Sequence, residues 1–164
     1  MPDTKEPHEE IRKIESFKVD HTRLSPGIYI SRVDGDVVTY DLRTRFPNGG
    51  NYMDNVTMHT VEHMVATYIR NSEIGDKVIY FGPMGCRTGF YLLVRDTAPE
   101  SVLAALMETL QKVVDHRGPV FGASEVECGN FRELALPRAK AECLAYLWVL
   151  KTKSDQGKNT FRYE

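Results

Sequence analysis

The chain has 164 residues, of which 41% are hydrophobic and 10% aromatic, enough for one compact domain with its own core. The formal net charge is −2 and basic residues are mixed with acidic ones, so the sequence lacks the basic stripe typical of nucleic-acid-binding proteins. It also lacks an apolar run long enough to span a membrane, and its charged N-terminus lacks the apolar segment of a signal peptide.

We therefore expect a cytoplasmic protein without nucleic-acid or membrane partners. The odd number of cysteines fits this location, because small secreted domains usually pair theirs in a disulfide framework. Cys86, Cys128 and Cys143 are expected to be reduced thiols, and metal binding or catalysis is favoured over a structural disulfide.

Residues 1–13 are predicted to be a polar extension, and residues 14–164 a single domain. The domain begins with strands predicted at 28–33 and 37–46, joined by a hairpin turn at Asp34-Gly35. One face of the second strand is expected to meet the core, and it carries Val38, Tyr40, Leu42, Thr44 and Phe46. Its opposite, charged face is expected to be solvated or functional.

An amphipathic helix is predicted next, with Asp54 or Asn55 as its N-cap. Its apolar stripe has the spacing of a helix face and consists of Met58, Val61, Met64, Val65, Tyr68 and Ile69. His59 and His63 lie four residues apart beside this stripe, with Glu62 next to them. Such a helix can pack on a sheet and still present both histidines to a cleft.

Two more strands are predicted at 77–81 and 90–95, joined by a turn rich in glycine that carries Cys86. A capping box over 97–100 is predicted to begin a second long helix, and Gly118-Pro119 to end it. An irregular or strand segment should follow over 120–127. Pro137 is predicted to lie in the first turn of a last helix that reaches about Lys151, with Cys143 on its buried side. The order of elements predicts an α+β domain, an antiparallel sheet with helices packed on one face.

The pattern His59-Thr60-Val61-Glu62-His63 matches the H-x-x-E-H signature of inverted zinc peptidases. Two imidazoles at this spacing can hold one divalent ion, and the carboxylate beside them can transfer protons. Two exposed histidines on an ordinary amphipathic helix are the simpler interpretation. The metal site on this central helix needs a third ligand, for which Cys128, Cys86 and a distant acid are all candidates.

The two turn cysteines suit different roles. Cys128 lies beside Gly129, and a thiolate next to two imidazoles suits Zn²⁺, Fe²⁺ or Co²⁺. Cys86 can instead act as a mobile acid/base group or nucleophile. A metallopeptidase in which Glu62 activates water, and a metal-stabilised binding domain without turnover, are the alternative functions.

Five motifs in order along the chain resemble one known family, the LuxS family of S-ribosylhomocysteine lyases. They are Glu15-Ser16-Phe17 with Asp20-His21-Thr22, Tyr40-Asp41-Leu42-Arg43, the histidine motif at 59–63, Gly82-Pro83-Met84-Gly85-Cys86-Arg87-Thr88-Gly89-Phe90-Tyr91, and Glu127-Cys128-Gly129-Asn130. The similarity runs from about Glu15 into the last helix, and five ordered motifs are far more specific than H-x-x-E-H alone.

The resemblance implies a metal held by His59, His63 and Cys128, with Glu62 and Cys86 as the catalytic acid/base groups. The implied ion is Fe²⁺, one per subunit, with Zn²⁺ or Co²⁺ as substitutes. The implied reaction cleaves S-ribosylhomocysteine to homocysteine and 4,5-dihydroxy-2,3-pentanedione, the precursor of the quorum-sensing signal autoinducer-2.

The family pattern also implies that Ser16, His21 and Arg43 bind the substrate, with Arg70 as a further candidate. It implies a homodimer with active sites at the subunit interface. One position departs from the pattern. Some family members have an aspartate six residues before the loop cysteine, where this chain has Tyr80, so recognition of the amino-acid end of the substrate is left open.

Overall fold

A computed structural model describes residues 11–163 of the chain. Most of the predicted extension, residues 1–10, lies outside the described part, and residues 11–13 are exposed. The described chain forms four strands and three α-helices in the order β1 Gly27–Asp34, β2 Val37–Arg43, α1 Asn55–Arg70, β3 Val78–Pro83, β4 Gly89–Arg95, α2 Pro99–Asp115 and α3 Leu136–Asp155.

The strands form one antiparallel sheet in the order β1-β2-β4-β3. Side chains alternate between its two faces, so residues that are direct neighbours across strands share a face. Tyr40 pairs with Leu92 on the face that belongs to the core, and Asp41 pairs with Tyr91 on the opposite face. The prediction of an antiparallel sheet is confirmed.

All three helices contribute to a single core with the first of these faces. The buried apolar side chains of the sheet in this core include Ile28, Tyr40, Leu42, Phe90, Leu92 and Val94. The α+β prediction with helices on one face is confirmed. The opposite face borders a pocket that Arg43 and Tyr91 line.

Helix α1 begins where the sequence predicts. Asp54 is its N-cap, and its carboxylate accepts a hydrogen bond from the Thr57 amide at 2.7 Å. The inner members of the apolar stripe are buried, namely Val61, Met64, Val65 and Ile69, whereas Met58 and Tyr68 are half-buried. Because this stripe is fixed against the core, the histidines beside it are held in half-buried positions.

Several predicted details of the elements differ from the structure. Strand β2 ends at Arg43, and Phe46, predicted to face the core, is 63% exposed in the following loop. No capping box begins α2. Its N-cap is Ala98, and the Thr97 hydroxyl donates to the Arg95 carbonyl, so it does not cap the helix. Helix α3 extends one turn beyond Lys151, to Asp155.

The segment 120–127 is irregular, in keeping with one of the two predicted options. Cys143 lies fully inside the core, as predicted, and burial raises the pKa of its thiol, so it is an unreactive packing residue. Within residues 11–163, no helix combines the length and apolar character needed to cross a membrane.

Candidate metal centre and thiol pocket

Three side chains predicted as metal ligands converge although they come from distant parts of the chain. The nearest ligand atoms of His59, His63 and Cys128 all lie within 4.8 Å of one another. His59 Nε2 is 3.4 Å from the Cys128 sulfur, and all three residues are half-buried. Two imidazole nitrogens and one thiolate are a donor set that suits Zn²⁺, Fe²⁺ or Co²⁺.

The second nitrogen of each imidazole ring is fixed by a backbone carbonyl. His59 Nδ1 lies 3.1 Å from the Glu133 oxygen, and His63 Nδ1 lies 2.7 Å from the Phe121 oxygen. A carbonyl can only accept, so each ring nitrogen Nδ1 serves as the donor in these contacts, which leaves Nε2 as the nitrogen that can bind a metal. This is the outer-shell arrangement that orients histidine ligands in metal sites. The residues therefore fit a divalent ion with three protein ligands.

The irregular segment between α2 and α3 brings Cys128 to the histidine helix. Its end is tied to α1, because the Ala135 amide donates to the Thr60 hydroxyl at 2.9 Å. Around the thiol, the Cys128 amide donates to the Ser124 carbonyl, and the Asn130 amide points at the sulfur from 3.4 Å. These backbone contacts fix the position of the Cys128 sulfur beside the histidine helix.

Glu62, predicted to be an acid/base group, is half-buried on α1, immediately before His63. It lies three residues after His59, a spacing that makes the two side chains neighbours on the helix surface. This placement suits a group that moves protons at a molecule bound to the ion.

Cys86 lies elsewhere, in the turn between β3 and β4, and is exposed. It borders a pocket of about 390 Å³, here called the thiol pocket. The predicted substrate-binding residues Ser16, His21 and Arg43 line the same pocket, together with Tyr91. Three of the predicted substrate-binding residues are thus brought together around the exposed thiol of Cys86, a predicted catalytic residue.

Arg43 faces this thiol from a buried position. Its Nη1 atom donates to the Thr88 hydroxyl at 2.7 Å and lies 3.8 Å from the Cys86 sulfur, while Thr88 Oγ1 lies 3.0 Å from that sulfur. Asp41 binds the other side of the guanidinium, with Nε to Oδ1 at 3.1 Å and Nη2 to Oδ2 at 2.7 Å. Burial acts to lower the pKa of Arg43, but Asp41 more than offsets it, so the guanidinium stays charged beside Cys86.

Arg70 is not part of this pocket. It is exposed at the end of α1, and its guanidinium donates to the carbonyls of Val78 and Ile79 at 3.3 and 3.2 Å. Tyr80, at the departure from the family pattern, is 50% exposed and lines a neighbouring pocket together with Ser16 and Tyr91. Aromatic surface therefore lies at the position where the chain departs from the family pattern.

Sequence reasoning missed several residues around both sites. Asp41 binds Arg43, and Thr88 contacts both Arg43 and Cys86. The sequence signal for Asp41 was its position two residues before Arg43, on the same strand face. The carbonyls of Phe121 and Glu133 left no signal, because a backbone acceptor is the same in every residue type.

The candidate metal centre and the thiol pocket lie on opposite sides of the sheet. The histidines lie on α1, which packs on the core face of the sheet, whereas Arg43 and Tyr91 belong to the opposite face. The thiol pocket and a smaller pocket of about 140 Å³, also bordered by Cys86, contain none of the three candidate ligands.

Comparison with known proteins gives a consistent result over most of the chain. Residues 14–157 match the model of the family described as S-Ribosylhomocysteinase (LuxS). A protein named S-ribosylhomocysteine lyase from Borreliella burgdorferi strain ZS7 is 43% identical over 152 residues, which cover 89% of this chain and 97% of that protein. A protein of the same name from Desulfotalea psychrophila is 44% identical over 142 residues, covering 83% of this chain and 89% of the relative.

A third relative with that name, from Finegoldia magna, is 43% identical over 145 residues, covering 85% of this chain and 92% of its own length. The family match covers well over half of the chain, and the relatives are aligned over nearly their full lengths. The chain therefore belongs to the LuxS family of S-ribosylhomocysteinases, a family of enzymes.

Proposed function

We propose that this protein is an S-ribosylhomocysteine lyase, which cleaves S-ribosylhomocysteine to homocysteine and 4,5-dihydroxy-2,3-pentanedione. The observation that carries the proposal is the convergence of His59, His63 and Cys128 in a chain that belongs to the LuxS family. The exposed thiol of Cys86, in a pocket of about 390 Å³, adds the second half of a site for a small polar substrate.

The reaction moves a carbonyl along the sugar before the carbon–sulfur bond breaks. A proton leaves C2 and one is added at C1, then a proton leaves C3 and one is added at C2. Loss of the C4 proton then expels the homocysteine thiolate from C5 and leaves an enol, and transfer of the proton of its C4 hydroxyl to C5 gives the dione. The protons taken from C2 and C3 are returned at C1 and C2, and the proton taken from C4 is balanced by protonation of the leaving thiolate, so no oxidant or water is consumed.

Two groups of the chain carry these protons in the proposal, the Glu62 carboxylate and the Cys86 thiol. His59, His63 and Cys128 would hold Fe²⁺, with Zn²⁺ or Co²⁺ as substitutes. A divalent ion in this position supplies Lewis-acid polarisation of the carbonyl and hydroxyl oxygens. The whole reaction needs both groups near one substrate, because protons are removed from, or added to, every carbon from C1 to C5.

Ser16, His21 and Arg43 orient the substrate in the proposed complex, since all three line the thiol pocket. Arg70 has less support, because its guanidinium is engaged by the carbonyls of Val78 and Ile79. Tyr80 leaves the amino-acid end of the substrate to be held by other groups around the neighbouring pocket.

We further propose that the protein is a homodimer whose active sites form between subunits. The separation of the candidate metal centre from the thiol pocket supports this assembly, since a second copy can place its Cys86 opposite the histidines of the first. A cytoplasmic location is proposed because the chemistry needs Cys86 and Cys128 as free thiols, which reducing compartments maintain.

The test is anaerobic purification followed by metal analysis and a free-thiol assay with S-ribosylhomocysteine. We expect one metal ion per chain and release of homocysteine by the wild-type protein. Cys128→Ala should lose both, whereas Cys143→Ala, which alters a core thiol outside the site, should keep its metal. Cys128→Ala that retains its metal would contradict the proposed ligand set and favour a metallopeptidase with an acidic third ligand.

A further inference from the structure

The last described residues of the chain run beside β1, at the edge of the sheet. After α3, Gly157 adopts φ +64° and turns the chain, a conformation that favours glycine. The following segment, residues 158–163, is here called the tail, and it lies beyond the family match, which ends at residue 157. The tail therefore is a feature of this chain that the family match does not describe.

The tail is anchored on β1 by Phe161. Its side chain is only 9% exposed and packs edge-on against Tyr40, and its carbonyl accepts a hydrogen bond from the Ile30 amide at 2.8 Å. Phe161 also has φ +60°, which costs energy for a residue with a side chain. This conformation persists because burial and the hydrogen bond to β1 hold it, so the path of the tail is well defined.

Tyr163 continues this path to the face of the sheet opposite the core, the face that carries Asp41. Its ring stacks on Tyr29 at 5.1 Å between centroids with an angle of 16°. Its hydroxyl donates to Asp41 Oδ2 at 2.8 Å. Burial and the nearby Asp41 carboxylate both raise the pKa of Tyr163 well above its usual range, so the phenol remains a donor.

Asp41 connects Tyr163 to the thiol pocket, because it binds both Tyr163 and Arg43. The carboxylate is 1% exposed and binds the Arg43 guanidinium at two atoms, Nε and Nη2. This two-point grip fixes the plane of the guanidinium and directs Nη1 to Thr88 and Cys86. A buried carboxylate that loses one hydrogen-bond donor is left with an unsatisfied oxygen. It then shifts towards its remaining donors or interacts more strongly with them.

We propose that Tyr163 is a positioning residue for Cys86, acting through Asp41 and Arg43. The tail would thereby control the reactivity of the thiol. This inference rests on the proposed role of Cys86 as a proton carrier. Without the Tyr163 hydroxyl, the negative charge of Asp41 is less well satisfied and neutralises Arg43 more strongly. Arg43 then stabilises the Cys86 thiolate less, and the thiol becomes less reactive.

The test measures the reactivity of Cys86 directly. Metal-loaded wild type and Tyr163→Phe are treated with iodoacetamide from mildly acidic to mildly alkaline pH, and modification of the Cys86 peptide is followed by mass spectrometry. For Tyr163→Phe we expect alkylation about three- to tenfold slower at neutral pH, with the pH profile shifted to higher pH. The other titratable groups at the two pockets that Cys86 borders, His21, Tyr52 and Tyr91, are unchanged.

Arg162→Ala is the matched control, because it alters an exposed side chain of the same tail and should leave the profile unchanged. If Tyr163→Phe fails to fold, Tyr163→Met gives the same comparison with a flexible apolar side chain. A wild-type profile in the folded variant, with or without a lower melting temperature, overturns the proposal, since Tyr163 would then serve stability alone. Failure of the wild type to release homocysteine would instead contradict the lyase function and leave the alkylation result standing.

Discussion

His63 Nδ1 lies 2.7 Å from the carbonyl oxygen of Phe121, a residue 58 positions further along the chain. This hydrogen bond links the histidine helix to the irregular segment that carries Cys128. The orientation of one candidate ligand therefore depends on the path of the segment that supplies another. A change that displaces the Phe121–Gly122 backbone should therefore lower the metal affinity of the candidate metal centre, although it alters no ligand.

Gly122→Ala tests this link. Gly122 has φ +67°, and an added Cβ would lie 3.2 Å from His63 Nδ1, so the ring or the backbone must move. We expect metal affinity to fall about tenfold or more, as is typical when an outer-shell partner is disturbed. Competition with a chelator provides the measurement.

The matched control is Gly118→Ala, where φ is also positive but the added Cβ would meet no atom within 4 Å. Both variants carry the backbone strain of a side chain at positive φ, and only Gly122→Ala crowds His63. Equal metal affinities for the two variants would show that the ring orientation does not depend on this backbone.

Glu62→Gln should separate metal binding from turnover. The amide cannot accept a proton in the range where a carboxylate can, but it has nearly the same shape. We expect normal metal content and melting temperature, with homocysteine release reduced about 10²- to 10⁴-fold. Glu73→Gln, at an exposed position beyond α1, should release homocysteine at the wild-type rate. Wild-type activity in Glu62→Gln would remove Glu62 from the proposed mechanism.

Asp54→Ala should weaken the N-terminus of α1 in a manner that depends on pH. The backbone hydrogen bond from Thr57 lowers the pKa of Asp54 below its ordinary value of 3.8. A carboxylate whose pKa is lowered by folding stabilises the protein above its unfolded pKa and loses this effect as pH falls through the folded pKa. Urea unfolding near neutral pH should show a loss of about 1 kcal/mol, which shrinks in strong acid. A difference that is constant with pH would contradict capping by the ionised side chain.

Glu142→Gln should destabilise the contact between α3 and the loop after β2. Glu142 is buried and binds Arg45 at two atoms, with distances of 3.1 and 2.7 Å. The amide leaves the guanidinium without its countercharge, so we expect a loss of about 1.5–3 kcal/mol in the free energy of unfolding. Glu108→Gln, which breaks an exposed ion pair with Lys112 on α2, should cost less than about 0.5 kcal/mol.

The parts of the fold that follow local rules could be predicted from the sequence. The spacing of the apolar stripe predicted α1. Its predicted N-cap, Asp54, accepts a hydrogen bond from the amide of Thr57, only three residues away. Alternation along β2 separated Tyr40 from Asp41, and the structure places them on opposite faces. The capping box at 97–100 failed because Thr97 has a competing local acceptor, the Arg95 carbonyl, and the chain enters α2 through Ala98.

The sequence by itself determined which residue types are available, namely two histidines at helical spacing, a carboxylate beside them and thiols in two turns. Only the tertiary structure decided how they are combined. It brings Cys128 to the histidines, gives each imidazole a carbonyl partner, buries the Asp41–Arg43 pair and places Tyr163 against it. The physical reason is range, because helix periodicity and capping act over a few residues, whereas these contacts depend on the path of chain segments far apart in sequence.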